Sequence, residues 1–252
     1  MGNQESRDVG IKVEGGLSER LSNFWYHYKW HTIAAVFVIV VLSVCIAQCA
    51  GNTSYDIQVL YAGNHSFSRT SDDGGYPEYA TMVSTLAGFA KDSDGNGQTS
   101  VSFLDLYLLT KDEYNELESD PDRGTPALSL IQENTSMLEN NMNMSDYYVC
   151  FLSERLFLQY SEGDSNLGRF VKLSGYAPEG SSYDYVSEYG IRLSSLGIKD
   201  LPGFDLLDAE DTIVCLRNVS AASSMFNKAE SREQLSRAED MMREMLAYSS
   251  AE

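Results

Sequence analysis

Apolar residues fall in different rhythms along this chain, and each rhythm predicts an element. From Thr32 to Ala50 nearly every side chain is apolar or small, with no charged residue. A membrane-crossing helix needs about 20 such residues. Directly before the run stand Phe24, Trp25, Tyr26, Tyr28 and Trp30, rings with one wet edge that settle at the headgroup level of a bilayer. Further on the rhythm shortens. Ile57, Val59 and Tyr61 alternate, as in a strand. Pro77 opens a helix whose apolar face is Tyr79, Met82, Val83, Leu86 and Phe89, and Val101–Leu109 is a second strand. Thr125 and Pro126 are a cap and first-turn pair for a helix with Ala127, Leu130, Ile131 and Leu138 on its buried side. Tyr147–Leu152 is apolar on both faces, which suits a central parallel strand. A short helix follows over Ser153–Tyr160, then an irregular stretch over Ser161–Tyr189. Gly190–Leu193 and Thr212–Arg217 read as strands. Ser231 and Gln234 make a capping box for a last helix with Leu235, Ala238, Met241, Met242, Met245 and Leu246 facing in.

Alternating strands and helices predict an α/β domain, with a mostly parallel sheet flanked by helices and preceded by one N-terminal transmembrane helix. The organisation is a tail with its aromatic collar over 1–31, a span over 32–50 and one domain over 51–252. Charge orients it. Arg7, Lys12, Arg20 and Lys29 precede the span, and the first basic residue after it is Arg69. Basic residues near a span stay cytoplasmic, which puts the N-terminus inside and 51–252 outside the cell membrane. A cleaved signal peptide would need a shorter basic region and a small-residue cleavage site, which is not evident before Gly51. A lipoprotein would want a small residue before the cysteine, where Val44 and Gln48 stand before Cys45 and Cys49.

The net charge is −19. The tail is neutral, because Glu5, Asp8, Glu14 and Glu19 balance its four basic residues. The whole excess therefore lies on the exterior domain, which repels nucleic acid. Cys150 and Cys215 are the only cysteines outside the span. They can pair if their strands are neighbours; buried free thiols are the expected state. The sequons at Asn52, Asn64, Asn134, Asn143 and Asn218 are read as accidents of an Asn- and Ser-rich domain.

The collar and span FWYHYKWHTIAAVFVIVVLSV, the strand YDIQVLYAG, the turn DSDGNG and the late YGIRLSSL and TIVCLRN together resemble a family of uncharacterised single-pass membrane proteins of Gram-positive, mostly anaerobic bacteria. The resemblance covers nearly the whole chain, and none of its motifs is catalytic. It implies an exterior domain like one lobe of an extracytoplasmic solute-binding protein, with DYYVCFLSERLF as the strand facing the ligand cleft. The chain is too short and too continuous for a full second lobe.

Candidate chemistry is sparse. Asp92, Asp94 and Asn96 stand at the first, third and fifth places of a calcium loop with Gly97 at the sixth, and Gln98 offers a backbone carbonyl. The twelfth place, which wants a bidentate carboxylate, holds Phe103. A polar helix-to-strand turn is the competing reading. His65 is the one exterior histidine, and no nucleophile elbow, HExxH or CxxC is present. Tyr176, Tyr183, Tyr185 and Tyr189 either form an adaptable recognition loop or pack back on the core, and the second is expected. The resulting expectation is a non-catalytic, membrane-anchored interaction module. Its partners would be the lipid bilayer and a membrane or cell-surface protein. One alternative is capture of a small-molecule ligand at the strand ends by Gly63, Asn64, Ser66, Thr110, Ser153 and Glu154. The other is a carboxylate-dependent hydrolase. No cofactor is expected apart from possible calcium.

Overall fold

A computed structural model describes residues 16–50, 55–70, 76–109, 113, 115, 124–144, 147–162, 168–220, 225 and 228–249. The chain divides into two units, Met1–Ser54 and Tyr55–Glu252. In the first, Leu17–Ala50 is one helix, α1. Its Phe24–Cys45 portion is 22 residues long with a mean hydropathy of 1.8 and no buried residue. At ~1.5 Å per residue such a stretch matches the ~30 Å hydrocarbon layer of a bilayer. Among the described residues, one helix is thus long and apolar enough to cross a membrane. Within the collar, Phe24 stacks on Tyr28 one turn later, with ring centroids 5.2 Å apart.

The second unit holds β1 (Ile57–Gly63), α2 (Glu78–Ala87), β2 (Val101–Tyr107), α3 (Gly124–Met144), β3 (Val149–Ser153), α4 (Glu154–Ser161), β4 (Tyr185–Ser187), β5 (Gly190–Arg192), β6 (Thr212–Leu216) and α5 (Lys228–Ala247). The strands form one sheet in the order β2-β1-β3-β6-β5-β4. β1 runs parallel to both β2 and β3. The joins β3–β6, β6–β5 and β5–β4 are antiparallel. The expected mostly parallel sheet is therefore a mixed one, parallel at one end only. The connections explain this. Helical crossovers α2 and α3 return the chain to the starting end of the sheet, which parallel pairing requires. β4 and β5 are joined by two residues, Glu188 and Tyr189, a length that only an antiparallel hairpin can use. Short 3₁₀ turns between Leu193 and Leu206 then lead into β6.

Alternation along the strands feeds two cores. Ile57, Val59, Tyr61, Phe151 and Val214 point to one face, in a cluster with Met82 and Leu86 of α2 and with Met241, Met242 and Met245 of α5. Leu60, Ala62, Cys150, Leu152 and Cys215 point to the other, with Ile131, Leu138 and Met142 of α3 and Leu156 and Phe157 of α4. Burial on both faces explains why the β3 segment reads as an unbroken apolar run. One turn is pinned by a glycine. Gly203 has φ +93°, and a Cβ there would stand 2.8 Å from the Met82 Cα. Only glycine takes that conformation against a neighbouring backbone without strain.

Several local expectations change. Thr125 and Pro126 lie inside α3, which already includes Gly124. Proline is tolerated there because first-turn amides have no helical partner. Leu130 is half exposed. The buried stripe is instead Ile131, Asn134, Leu138 and Met142, at intervals of three and four. Asn134 donates its amide to the Tyr107 carbonyl at 2.9 Å, so this sequon is a buried edge-strand contact. Ser231 is buried within α5 and does not cap it, because the helix includes Lys228. Tyr176 donates to Glu239 at 2.9 Å and Tyr183 to the Leu246 carbonyl. Both pack against the core as expected, as does Tyr189, whereas Tyr185 is exposed. Cys150 and Cys215 are free and fully buried on neighbouring strands.

Candidate functional site

β1 lies between β2 and β3, so the chain leaves β1 in one direction across the sheet and comes back on its other side. Ligands of open α/β sheets bind at such a reversal, outside the carboxyl ends of the strands. Gly63, Asn64 and Ser66 lie at the end of β1, and Ser153 and Glu154 at the end of β3, so the fold brings these five to one edge. Thr110 lies outside the described residues, as do Asn52 and the run Asp72–Gly75.

The protein's own side chains occupy much of this edge. The Tyr61 hydroxyl folds back over Gly63, 2.5 Å from where a Cβ would stand. It accepts a hydrogen bond from the His65 amide at 3.0 Å. Phe67 meets the Tyr61 ring edge-on with centroids 5.5 Å apart. Burial pushes the Tyr61 hydroxyl up to about 12 against that hydrogen bond, and the charges of Asp211, Asp208 and Asp105 add to it. Asp105, beside Tyr61 in the β1–β2 register, is also raised by burial, and Arg69 pairs with it at 2.6 Å. His65 lies 3.3 Å from a Glu78 oxygen that also accepts the Ser68 amide at 2.9 Å.

Glu154 is engaged as well. Arg192 of β5 reaches its two oxygens at 3.0 and 3.2 Å. The same guanidinium binds Asp184 at 3.0 Å and the Glu210 carbonyl. The antiparallel entry of β6 brings Asp208 and Asp211 to this edge, and the Asp211 backbone carbonyl accepts the Glu154 amide at 2.7 Å. These two aspartates and Arg192 are among the site residues that sequence reasoning missed. Their signal was hidden in the direction of β6, which no spacing in the chain reveals. Chemically the edge is an acidic rim capped by two guanidinium groups. It offers charge and hydrogen-bonding groups for a partner.

The calcium-loop residues lie at the opposite end, before β1 and β2. Asp92 accepts the Gly95 and Gly97 amides, each at 2.7 Å, and Asp94 accepts the Asn96 amide at 2.9 Å. The Asn96 side chain accepts the Gln98 amide at 2.8 Å. Gly95 and Gly97 take φ +73° and +82°, the left-handed geometry that such a turn needs. Phe103, at the twelfth place, is buried in the core. A third carboxylate comes from elsewhere. Asp56, Asp92 and Asp94 have oxygens within 4.8 Å of one another. Asp56 is buried and accepts bonds from both the amide and the hydroxyl of Ser93 (2.8 and 2.6 Å) and of Ser100 (2.7 and 2.9 Å). Burial alone would raise its carboxyl; these bonds outweigh it and hold the group well below the usual carboxylate range.

No model of a known protein family, no curated protein and no solved structure matches the chain.

Proposed function

We propose that the chain is a non-catalytic interaction module held at the outer surface of a cell membrane by α1, with its N-terminus inside. The observation that carries this reading is the occupied strand-end crevice. Tyr61 covers Gly63, and Arg192 holds Glu154 with both of its terminal nitrogens. A lobe built to capture a solute leaves those strand ends open to it. The apolar helix Phe24–Cys45 supports the anchor, and the basic residues before it support the orientation. A strongly acidic exterior domain suits contact with a cationic or hydrogen-bonding protein surface and disfavours nucleic acid.

The test is thermal unfolding of the full chain in detergent against amino acids, peptides and sugars, run beside cross-linking in intact membranes. A folded-state ligand at a hundredfold excess over Kd stabilises by about 2.7 kcal/mol. Interaction predicts no saturable shift with any solute and a discrete cross-linked membrane-protein partner. A saturable shift with one solute class would replace this reading with ligand capture.

A further inference from the structure

Cys150 of β3 and Cys215 of β6 are direct partners in the antiparallel register that joins the two halves of the sheet. Both side chains are fully buried on one face, in the cluster that holds Leu60, Leu152 and Phe157. They are the only cysteines outside α1, and scattered thiols rarely fall on facing positions of adjacent strands.

The ladder fixes what kind of pair this is. The Arg217 amide donates to the Tyr148 carbonyl and the Glu154 amide to the Asp211 carbonyl, both at 2.7 Å. Pairs that exchange backbone bonds alternate along an antiparallel ladder, so 150/215 is one of them, with Cα atoms about 5.5 Å apart. Disulfides span Cα distances of about 4.4–6.8 Å. Opposed Cβ atoms stand about 4.5–5.5 Å apart, against about 3.5–4.5 Å in a disulfide. In a hydrogen-bonded pair the Cβ atoms stand at the wide end of the ladder range, so closure needs a shift of about 1–2 Å. Cys215 Sγ already points across the ladder, donating to the Cys150 carbonyl at 3.6 Å, whereas Cys150 Sγ points to the Tyr147 and Tyr148 carbonyls just before its own strand at 3.7 and 3.8 Å and has to rotate to close the bond.

We propose that Cys150 and Cys215 are a modification site, oxidised during folding to a cross-strand disulfide that ties the parallel half of the sheet to the antiparallel half. The oxidant is a disulfide, either a small molecule or an oxidoreductase. Before that face closes both thiols are open to the oxidant, and either can attack first. Where Cys150 does so, its thiolate attacks one oxidant sulfur, the oxidant's S–S bond breaks and one thiolate leaves. That thiolate takes the Cys215 proton. Cys215 then attacks the Cys150 sulfur of the mixed disulfide and expels the second thiolate. Two protein thiols are oxidised to one disulfide, and the oxidant is reduced to two thiols. Neither sulfur is accessible in the folded domain, so the exchange precedes closure of that face and the finished bond is sealed from reductant.

The experiment uses the full chain in detergent with Cys45→Ser and Cys49→Ser, unfolded in urea and refolded with oxidised and reduced glutathione. Iodoacetamide under denaturing conditions, followed by peptide mass analysis, reads the result. The expected product is one joined pair of peptides carrying Cys150 and Cys215, about 2 Da below the sum of the free peptides, and alkylated only after reduction. Oxidised protein should unfold at a higher temperature than its reduced form, and Cys215→Ala should abolish the difference. If that variant does not fold, the oxidised and reduced parent still decide the point. Native circular dichroism with both cysteines fully alkylated without reduction would overturn the proposal.

Discussion

Arg192 holds both carboxylate oxygens of Glu154 at 3.0 and 3.2 Å, and so ties the hairpin strand β5 to the first turn of α4. A paired fork of this kind is stronger than a single bond and specific to guanidinium. Arg192→Ala also loses Asp184 and the Glu210 carbonyl, and should cost about 2–3 kcal/mol in urea unfolding. Arg192→Lys should recover less than half of that, because an ammonium cannot span both oxygens.

Gly203→Ala and Gly97→Ala separate backbone strain from crowding. Both positions have positive φ, yet nothing lies within 4 Å of a Cβ at Gly97, while Gly203 faces the Met82 backbone at 2.8 Å. Gly97→Ala should cost about 1 kcal/mol from strain alone. Gly203→Ala should cost about 3 kcal/mol, because overpacking adds to the strain. Equal losses would mean that the turn moves away from α2.

Asp56 should make the domain sensitive to acid. Its carboxyl is lower in the folded than in the unfolded chain, so the unfolded state takes up the proton first as pH falls. The stability it contributes is complete at neutral pH and drains away from about pH 5 downwards. Asp56→Asn should flatten that part of the stability–pH curve and cost about 3 kcal/mol at pH 7, since four donors lose a charged acceptor. An unchanged acid limb in the variant would assign the sensitivity to other carboxyls.

Trp25 and Trp30 are the only tryptophans and both are exposed on α1. Tryptophan emission of the protein in vesicles should therefore be quenched by brominated lipid and should not change across urea unfolding of residues 55–252. Emission that follows the unfolding transition would contradict a collar seated at the bilayer surface.

Sequence patterns carried the elements better than their directions. Ile57, Val59 and Tyr61 were legible as one face of β1, and the doubly apolar YYVCFL run as a central strand, because burial writes itself into spacing. Whether β6 runs with or against β3 is decided by what lies between them. The two-residue turn at Glu188 and Tyr189 is a weak signal inside a stretch that reads as irregular. Ser231 shows the limit of capping rules: packing of the Met241 face extends α5 beyond the residue that looked like its start. At the site, the crevice residues at the ends of β1 and β3 followed from fold logic. Asp56 was invisible because it meets Asp92 only through β1–β2 pairing, 36 residues apart. Tyr61 read as core and proved also to cover the crevice.

The strand order has a consequence for synthesis. β6 is the last strand in chain order among the described residues but lies inside the sheet, between β3 and β5. Until Thr212–Leu216 is made, both of those strands present an open edge, the kind of surface that recruits other chains. A growing polypeptide is therefore most prone to aggregation before β6 is made. A fragment stopped short of residue 212 is two sticky part-sheets in search of their missing middle.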